Sequence, residues 1–122
     1  MTSRSKAVGH ALEVRVVQEA HALGLSAQVQ PGSGVYKDYP HDAVIEGMLV
    51  ECKVRAVDMD AGRATRIFRF DLNWLKQVVS AALGKYRMGV VVFRPRGSQE
   101  KYVVIALSDF LALLARSPDA GK

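Results

Sequence analysis

Residues 39–54 read YPHDAVIEGMLVECKV, and this stretch sets the fold. Ala43 to Ile45 and Met48 to Val54 are apolar runs on either side of Glu46-Gly47, an acidic-Gly pair suited to a tight turn, so the pattern predicts a β-hairpin. Asp42, Glu51 and Lys53 nevertheless stand in or beside these strands, where an isolated buried charge is costly. Side chains alternate along a strand, so Glu51 and Lys53 share one face about 7 Å apart, while Val50, Cys52 and Val54 point to the other. Across the turn Asp42 falls near Glu51, with a one-residue bulge needed for full register. Cys52 reads as core filler.

On the N-terminal side, Ala7 to Leu23 carries Leu12, Val16, Ala20 and Leu23 at helical spacing, with Gly24 as its stop. Ser26 to Gln30 suits a short strand, and Pro31-Gly32-Ser33-Gly34 opens a loop running to Pro40. On the C-terminal side, Val57 to Arg66 is polar and charged and is expected to be an exposed, mobile connection. Asp71 is an N-cap for a helix to Ala82, with Leu72, Leu75, Val79 and Ala82 facing inward and Gly84 ending it. Gly89 to Phe93 and Tyr102 to Ala106 form a second hairpin around Arg94 to Ser98, and Ser108-Asp109 starts a short helix through Leu114. The order predicts one α/β domain over residues 1–122, a mixed central β-sheet flanked by helices. A basic N-terminal arm (1–6) and a polar tail (116–122) frame it.

The length of 122 residues suits one core rather than two domains. Seventeen Lys and Arg against twelve Asp and Glu give a net charge of +5, which favours an anionic partner without naming it. The lone Cys52 can form neither an intrachain disulfide nor a cysteine-built zinc site. With no apolar leader and no membrane-length apolar run, the chain is expected to be soluble and cytoplasmic.

The charged hairpin carries the chemistry. Two carboxylates held close repel unless a positive charge lies between them, and Mg²⁺ commonly binds through one or two carboxylates while keeping several waters. Lys53 beside them suits orienting or deprotonating an attacking water, or offsetting charge on a phosphoryl oxygen, in metal-assisted phosphodiester hydrolysis. The bland alternative is a Glu–Lys pair on the solvated face of an edge strand. Glu13 lies at the border of the apolar row of the first helix, and His10 one turn earlier on the same side; both also read as ordinary helix-surface residues. Ser33 is placed to hydrogen-bond a phosphate or a metal-bound water, or simply to make a turn.

Glu13, Pro31-Gly32-Ser33-Gly34, Asp42 and Glu51-Cys52-Lys53, in this order over roughly residues 4–106, resemble the archaeal-type Holliday junction resolvases of the PD-(D/E)xK nuclease group. The resemblance implies a restriction-endonuclease-like fold. It also implies Glu13, Asp42 and Glu51 as metal ligands, Lys53 as the catalytic lysine and Ser33 as an active-site serine. Mg²⁺ would be the cofactor, with Mn²⁺ substituting, and a homodimer would cut a four-way DNA junction in paired fashion. Lys6 matches the basic residue of the family's N-terminal segment, and Gln77 stands where several relatives place a site-facing glutamine. Two departures stand out: Pro40-His41-Asp42 replaces the usual Pro-Asp, and Val14 follows the helix glutamate, with Arg15 next. A phage or prophage resolvase fits the same pattern.

Without the three acids, seventeen basic residues face nine acidic ones. Arg4, Lys6, Arg15, Lys37, Arg55, Arg63, Arg66 and Arg69 are the candidates for contacts to the DNA backbone, which position a duplex without reading its bases. Trp74 and Val78, or Phe93 and Tyr102, are candidates for the dimer interface. Two competing readings use the same fold: a nuclease acting on other branched, nicked or linear DNA, and a non-catalytic DNA-binding protein.

Overall fold

A computed structural model describes residues 3–30, 42–60 and 65–116. In chain order the elements are α1 (Ser3–Ala22), β1 (Ala27–Val29), β2 (Ala43–Ile45), β3 (Met48–Arg55), β4 (Asp58–Asp60), β5 (Thr65–Ile67), α2 (Leu72–Ala82), β6 (Met88–Pro95), β7 (Tyr102–Val104) and α3 (Leu107–Arg116). Five strands form one mixed sheet in the order β1-β2-β3-β6-β7, with β3 and β6 parallel and the other neighbours antiparallel. The β3-to-β6 crossover carries α2, as a parallel connection requires.

The hairpin forms as its turn predicts. Glu46 and Gly47 both have positive φ, 49° and 78°, the backbone of a two-residue type I′ turn. Glu46 tolerates this conformation while its carboxylate accepts the Ser26 N–H at 2.6 Å and its carbonyl accepts from the Arg87 guanidinium at 3.1 Å. Beyond the turn, Ile45 pairs with Met48, Val44 with Leu49 and Ala43 with Val50.

One helix layer covers each face of the sheet. On the first face, Val50, Cys52 and Val54 of β3 and Met88, Val90 and Val92 of β6 pack with Leu12, Val16 and Val17 of α1. On the second, Leu49 and Val91 pack with Val78 and Ala82 of α2. That second approach is close: a Cβ on Gly89 would lie 2.4 Å from the Val78 carbonyl oxygen, so α2 rests on bare backbone there.

Helix ends follow their caps. The Asp71 side chain accepts the Asn73 N–H at 2.9 Å and starts α2. Gly24 ends α1 with φ of 79°, its N–H bonded to the His21 carbonyl and the Leu25 N–H to that of Ala20, a Schellman pair.

Four expectations are corrected. Helix α1 starts at Ser3, so most of the stretch read as an arm is helical. Leu23 lies past the end of α1 and is exposed, and Val17 takes its place in the inward row. In α2, Leu72 is exposed while Val78 is fully buried, so the inward row runs Leu75, Val78, Ala82 and Val78 is core rather than interface. The polar stretch after Val57 contains β4 and β5, which pair antiparallel as a ribbon separate from the main sheet.

Candidate functional site

The site forms where β2 parts from β3. Their pairing stops at Ala43 and Val50, and the Asp42 N–H donates to the Val50 carbonyl at 3.0 Å. The same register carried one step on sets Asp42 opposite Glu51 without the inserted residue that the sequence reading expected. On its other side the Asp42 carbonyl accepts the Gln30 N–H at 3.0 Å, so the backbone of Asp42 is held from both flanks. Its side chain then does what a continued strand would have done: Oδ2 accepts the Cys52 N–H at 2.6 Å. A short bond from a backbone N–H to a carboxylate is among the stronger protein hydrogen bonds.

Glu13 arrives from α1, 6% exposed and next to Leu12 in the core layer on the Cys52 side of the sheet. Glu51 and Lys53, both half-buried, alternate to the α2 side. The acids thus approach the same segment of β3 from its two faces. At the Cys52 thiol burial pushes the pKa well up, the carboxylates of Asp42, Glu13 and Glu51 push further, and Lys53 pulls the other way. Cys52 is therefore a protonated, inert core thiol, as its position in the alternation predicts.

Lys53 has a platform that sequence reading left unplaced. Its ammonium lies 5.3 Å from the centroid of the Trp74 ring, and the Arg55 guanidinium lies 5.1 Å from the same centroid. Cation–π contacts of this kind order both cations along one edge of the site. The signal in the sequence was a lone Trp in the first turn of a helix that follows a Glu-x-Lys-x-Arg strand. Alongside, Lys53 pairs with Phe93, and Phe93 with Tyr102. Phe68, Phe93 and Tyr102 stack in series at centroid distances of 4.3 and 5.3 Å and line a cavity of about 490 Å³.

The remaining candidates are dispersed. His10 is exposed, with Nδ1 3.9 Å from Glu13 Oε1. Gln77 is exposed on α2. Arg15, Arg55 and Arg69 are exposed; Arg15 stands 3.7 Å from Glu19, and Arg55 donates to the Val54 carbonyl at 2.8 Å. Ser33, Lys37, Pro40, His41 and Arg63 lie outside the described residues, as do the side chains of Arg4, Lys6 and Arg66.

Among the described residues no three His, Cys, Asp or Glu side chains are gathered tightly enough to enclose an ion. The donor chemistry does suit a hard cation: the candidate donors are carboxylate oxygens and the one thiol is buried and kept protonated, which favours Mg²⁺ or Mn²⁺ over zinc. Mg²⁺ needs only one or two of these carboxylates, because it retains waters.

No helix among the described residues is long and apolar enough to cross a membrane. Comparison with family models, curated proteins and solved structures finds no match to this chain.

Proposed function

We propose that this chain is a Mg²⁺-dependent DNA endonuclease with a restriction-endonuclease-like core, acting in the cytoplasm as a homodimer that cuts four-way junctions. One observation carries the reading: the Asp42 carboxylate is fixed on the Cys52 N–H at 2.6 Å, at the strand position between Glu51 and Lys53, with Glu13 buried on the α1 side of the same strand. A structural core gains nothing from burying Glu13 and fixing the Asp42 carboxylate beside a Glu-x-Lys strand, whereas hydrolysis of a phosphodiester uses such groups.

A bound Mg²⁺ would supply charge neutralisation and an acidified water. Of Glu13, Asp42 and Glu51, the fixed Asp42 together with one of the two flanking acids would hold it, since Glu13 and Glu51 approach β3 from opposite faces. Asp42 is positioned by its bond to the β3 backbone, and Lys53 offers N–H donors to a non-bridging phosphate oxygen while Trp74 restricts its swing. The exposed ring of Tyr102, continuous with Phe93 and Phe68, provides a stacking surface of the kind that binds unpaired bases at a branch point.

The dimer reading rests on α3. Leu107, Phe110, Leu111 and Leu114 are between 45% and 68% exposed and no residue of this helix is fully buried, leaving an apolar stripe on a short amphipathic helix. Two cuts in a junction require two active sites, and a two-fold pair of this chain provides them. This stripe, rather than Trp74 or Val78, is the better interface candidate, since Val78 is core and Trp74 is engaged with Lys53 and Arg55.

Strand-mapped digestion of a synthetic four-way junction, with and without Mg²⁺ and beside Glu51→Gln, tests the proposal. Paired cuts only in the wild-type lane with Mg²⁺ are expected. Equal rates on linear duplex of the same sequence would favour the general nuclease, and intact strands in every lane would reject catalysis.

A further inference from the structure

We infer that the seam between α1 and the β6–β7 hairpin is a phosphate-binding pocket, distinct from the acidic site, that grips the backbone of a DNA arm. The inference rests on the DNA-binding part of the proposed function. The pocket has a volume of about 60 Å³ and is lined by Ala11, Leu12, Arg15, Arg94, Gln99 and Lys101. This is room for one or two oxygen atoms rather than an organic ligand.

Three of the six lining residues are cationic, and two observations say they are not serving the fold alone. First, Arg94 Nε is buried with no hydrogen-bond partner. An orphaned donor of this kind calls for an acceptor from outside the chain. Second, the local charge is only partly balanced. Glu19 takes Lys101 at 2.9 Å and Arg15 at 3.7 Å through the same oxygen, so that one carboxylate is shared by two of the three cations and does not reach the orphaned Nε of Arg94. A water would satisfy the Arg94 Nε–H but not the residual charge, whereas a phosphate oxygen does both.

The register explains why Arg94 is there. It pairs with Val54 in the parallel β3–β6 ladder, two positions past Val92, and therefore points to the α1 face where that face runs out of apolar neighbours. Glu13 stands between Leu12 and Arg15 on the same helix. A backbone held in this pocket would thus run along α1 beside the acidic site. In the free protein the Glu19 carboxylate occupies two of the cations, and a DNA phosphate displaces it.

The test is the salt dependence of junction binding, measured by fluorescence anisotropy in EDTA so that cleavage plays no part. Arg94→Gln should weaken binding and make the log–log salt slope shallower by about 0.9, the value for one lost phosphate contact. Glu19→Gln should bind DNA more tightly, a gain that a purely structural role for Glu19 does not produce. An unchanged slope in folded Arg94→Gln would overturn the inference, and so would unchanged or weaker binding by Glu19→Gln. Titration of the free protein with inorganic phosphate, followed by the NMR shift of the Arg94 Nε–H, separates sources. A shift only with DNA supports the backbone site; saturation by millimolar phosphate, with no change in DNA slope on Arg94→Gln, would mark a free-anion site and reject it. Loss of cleavage with the slope change intact would reject the nuclease reading and leave this pocket standing.

Discussion

The Cys52 thiol gives the most direct test of whether the three acids converge. It is 7% exposed, and burial and the carboxylates of Asp42, Glu13 and Glu51 all raise its pKa in the folded chain. In the unfolded chain it titrates near ~8.5. As pH rises past that value, the unfolded state releases a proton that the folded state keeps, so the unfolded state gains stability. Folding stability linked to this thiol is therefore full below pH ~8.5 and is lost progressively above it. For a folded pKa well above 9.5, the loss between about pH 7.5 and pH 9.5 amounts to about 1.4 kcal/mol.

Urea denaturation at both pH values, wild type beside Cys52→Ala, isolates this contribution, because other titrating groups cancel in the difference. The wild type should lose about 1.4 kcal/mol more than the alanine variant across the interval. Burial alone would produce that result, so the acids need their own arm. At pH 9, native-state alkylation should be faster in Glu13→Gln and Glu51→Gln than in wild type, at unchanged denaturation midpoints, since each variant removes a charge that opposes the thiolate. Wild-type alkylation rates in both variants would refute the convergence, and with it the basis of the proposed site.

Asp42→Ala should destabilise the fold by about 1–3 kcal/mol in chemical denaturation, because it leaves the Cys52 N–H without its acceptor; Asp42→Asn keeps an acceptor and should cost less while still abolishing cleavage. Gly89→Ala drives a methyl against the Val78 carbonyl and should cost about 1–3 kcal/mol or more, read as a lower urea midpoint. Leu111→Glu should shift the chain from dimer to monomer in sedimentation velocity with the melting temperature of the monomer retained, as expected for an exposed position on α3. Mg²⁺ should raise stability by about 1.4 kcal/mol at ten times its dissociation constant, and Glu51→Gln should remove most of that gain in a thermal melt.

Features set by local chemistry were legible in the sequence. The Glu46-Gly47 turn demands two positive φ values, the Asp71 cap needs only its own side chain, and strand alternation placed Cys52 in the core and Glu51 with Lys53 opposite. The phase of α2 was read one position off. With 3.6 residues per turn, rows through Leu75, Val78 and Ala82 and through Leu72, Leu75, Val79 and Ala82 differ by about 100° at a single site. Packing on bare Gly89 chose the first. The ribbon of β4 and β5 was hidden because its charged composition suits a loop, and only cross-strand pairing reveals it. Arg94 was invisible for a similar reason: its facing depends on the parallel register between β3 and β6, which no local pattern encodes.

The placement of charge in the hairpin follows from where β2 stops. A strand that loses its neighbour leaves backbone N–H groups to satisfy, and the carboxylate of Asp42 does this for Cys52. Once that carboxylate is fixed, every further acid near it disfavours negative charge on the Cys52 thiol. Glu13, buried on α1, and Glu51, on the opposite face of β3, both do so, and Lys53 is the cation that opposes them at the thiol. Charges that burial and neighbours disfavour cluster at functional sites more often than in cores, which is why the proposed site is placed here. The opposite solution appears beside it on α1, where Arg15, Arg94 and Lys101 line one pocket and the Glu19 carboxylate pairs with two of them. One helix thus carries negative charge at Glu13 and an excess of positive charge around Arg15, the polarity that the proposed function requires if a polyanion is held on one side while a cation works on the other.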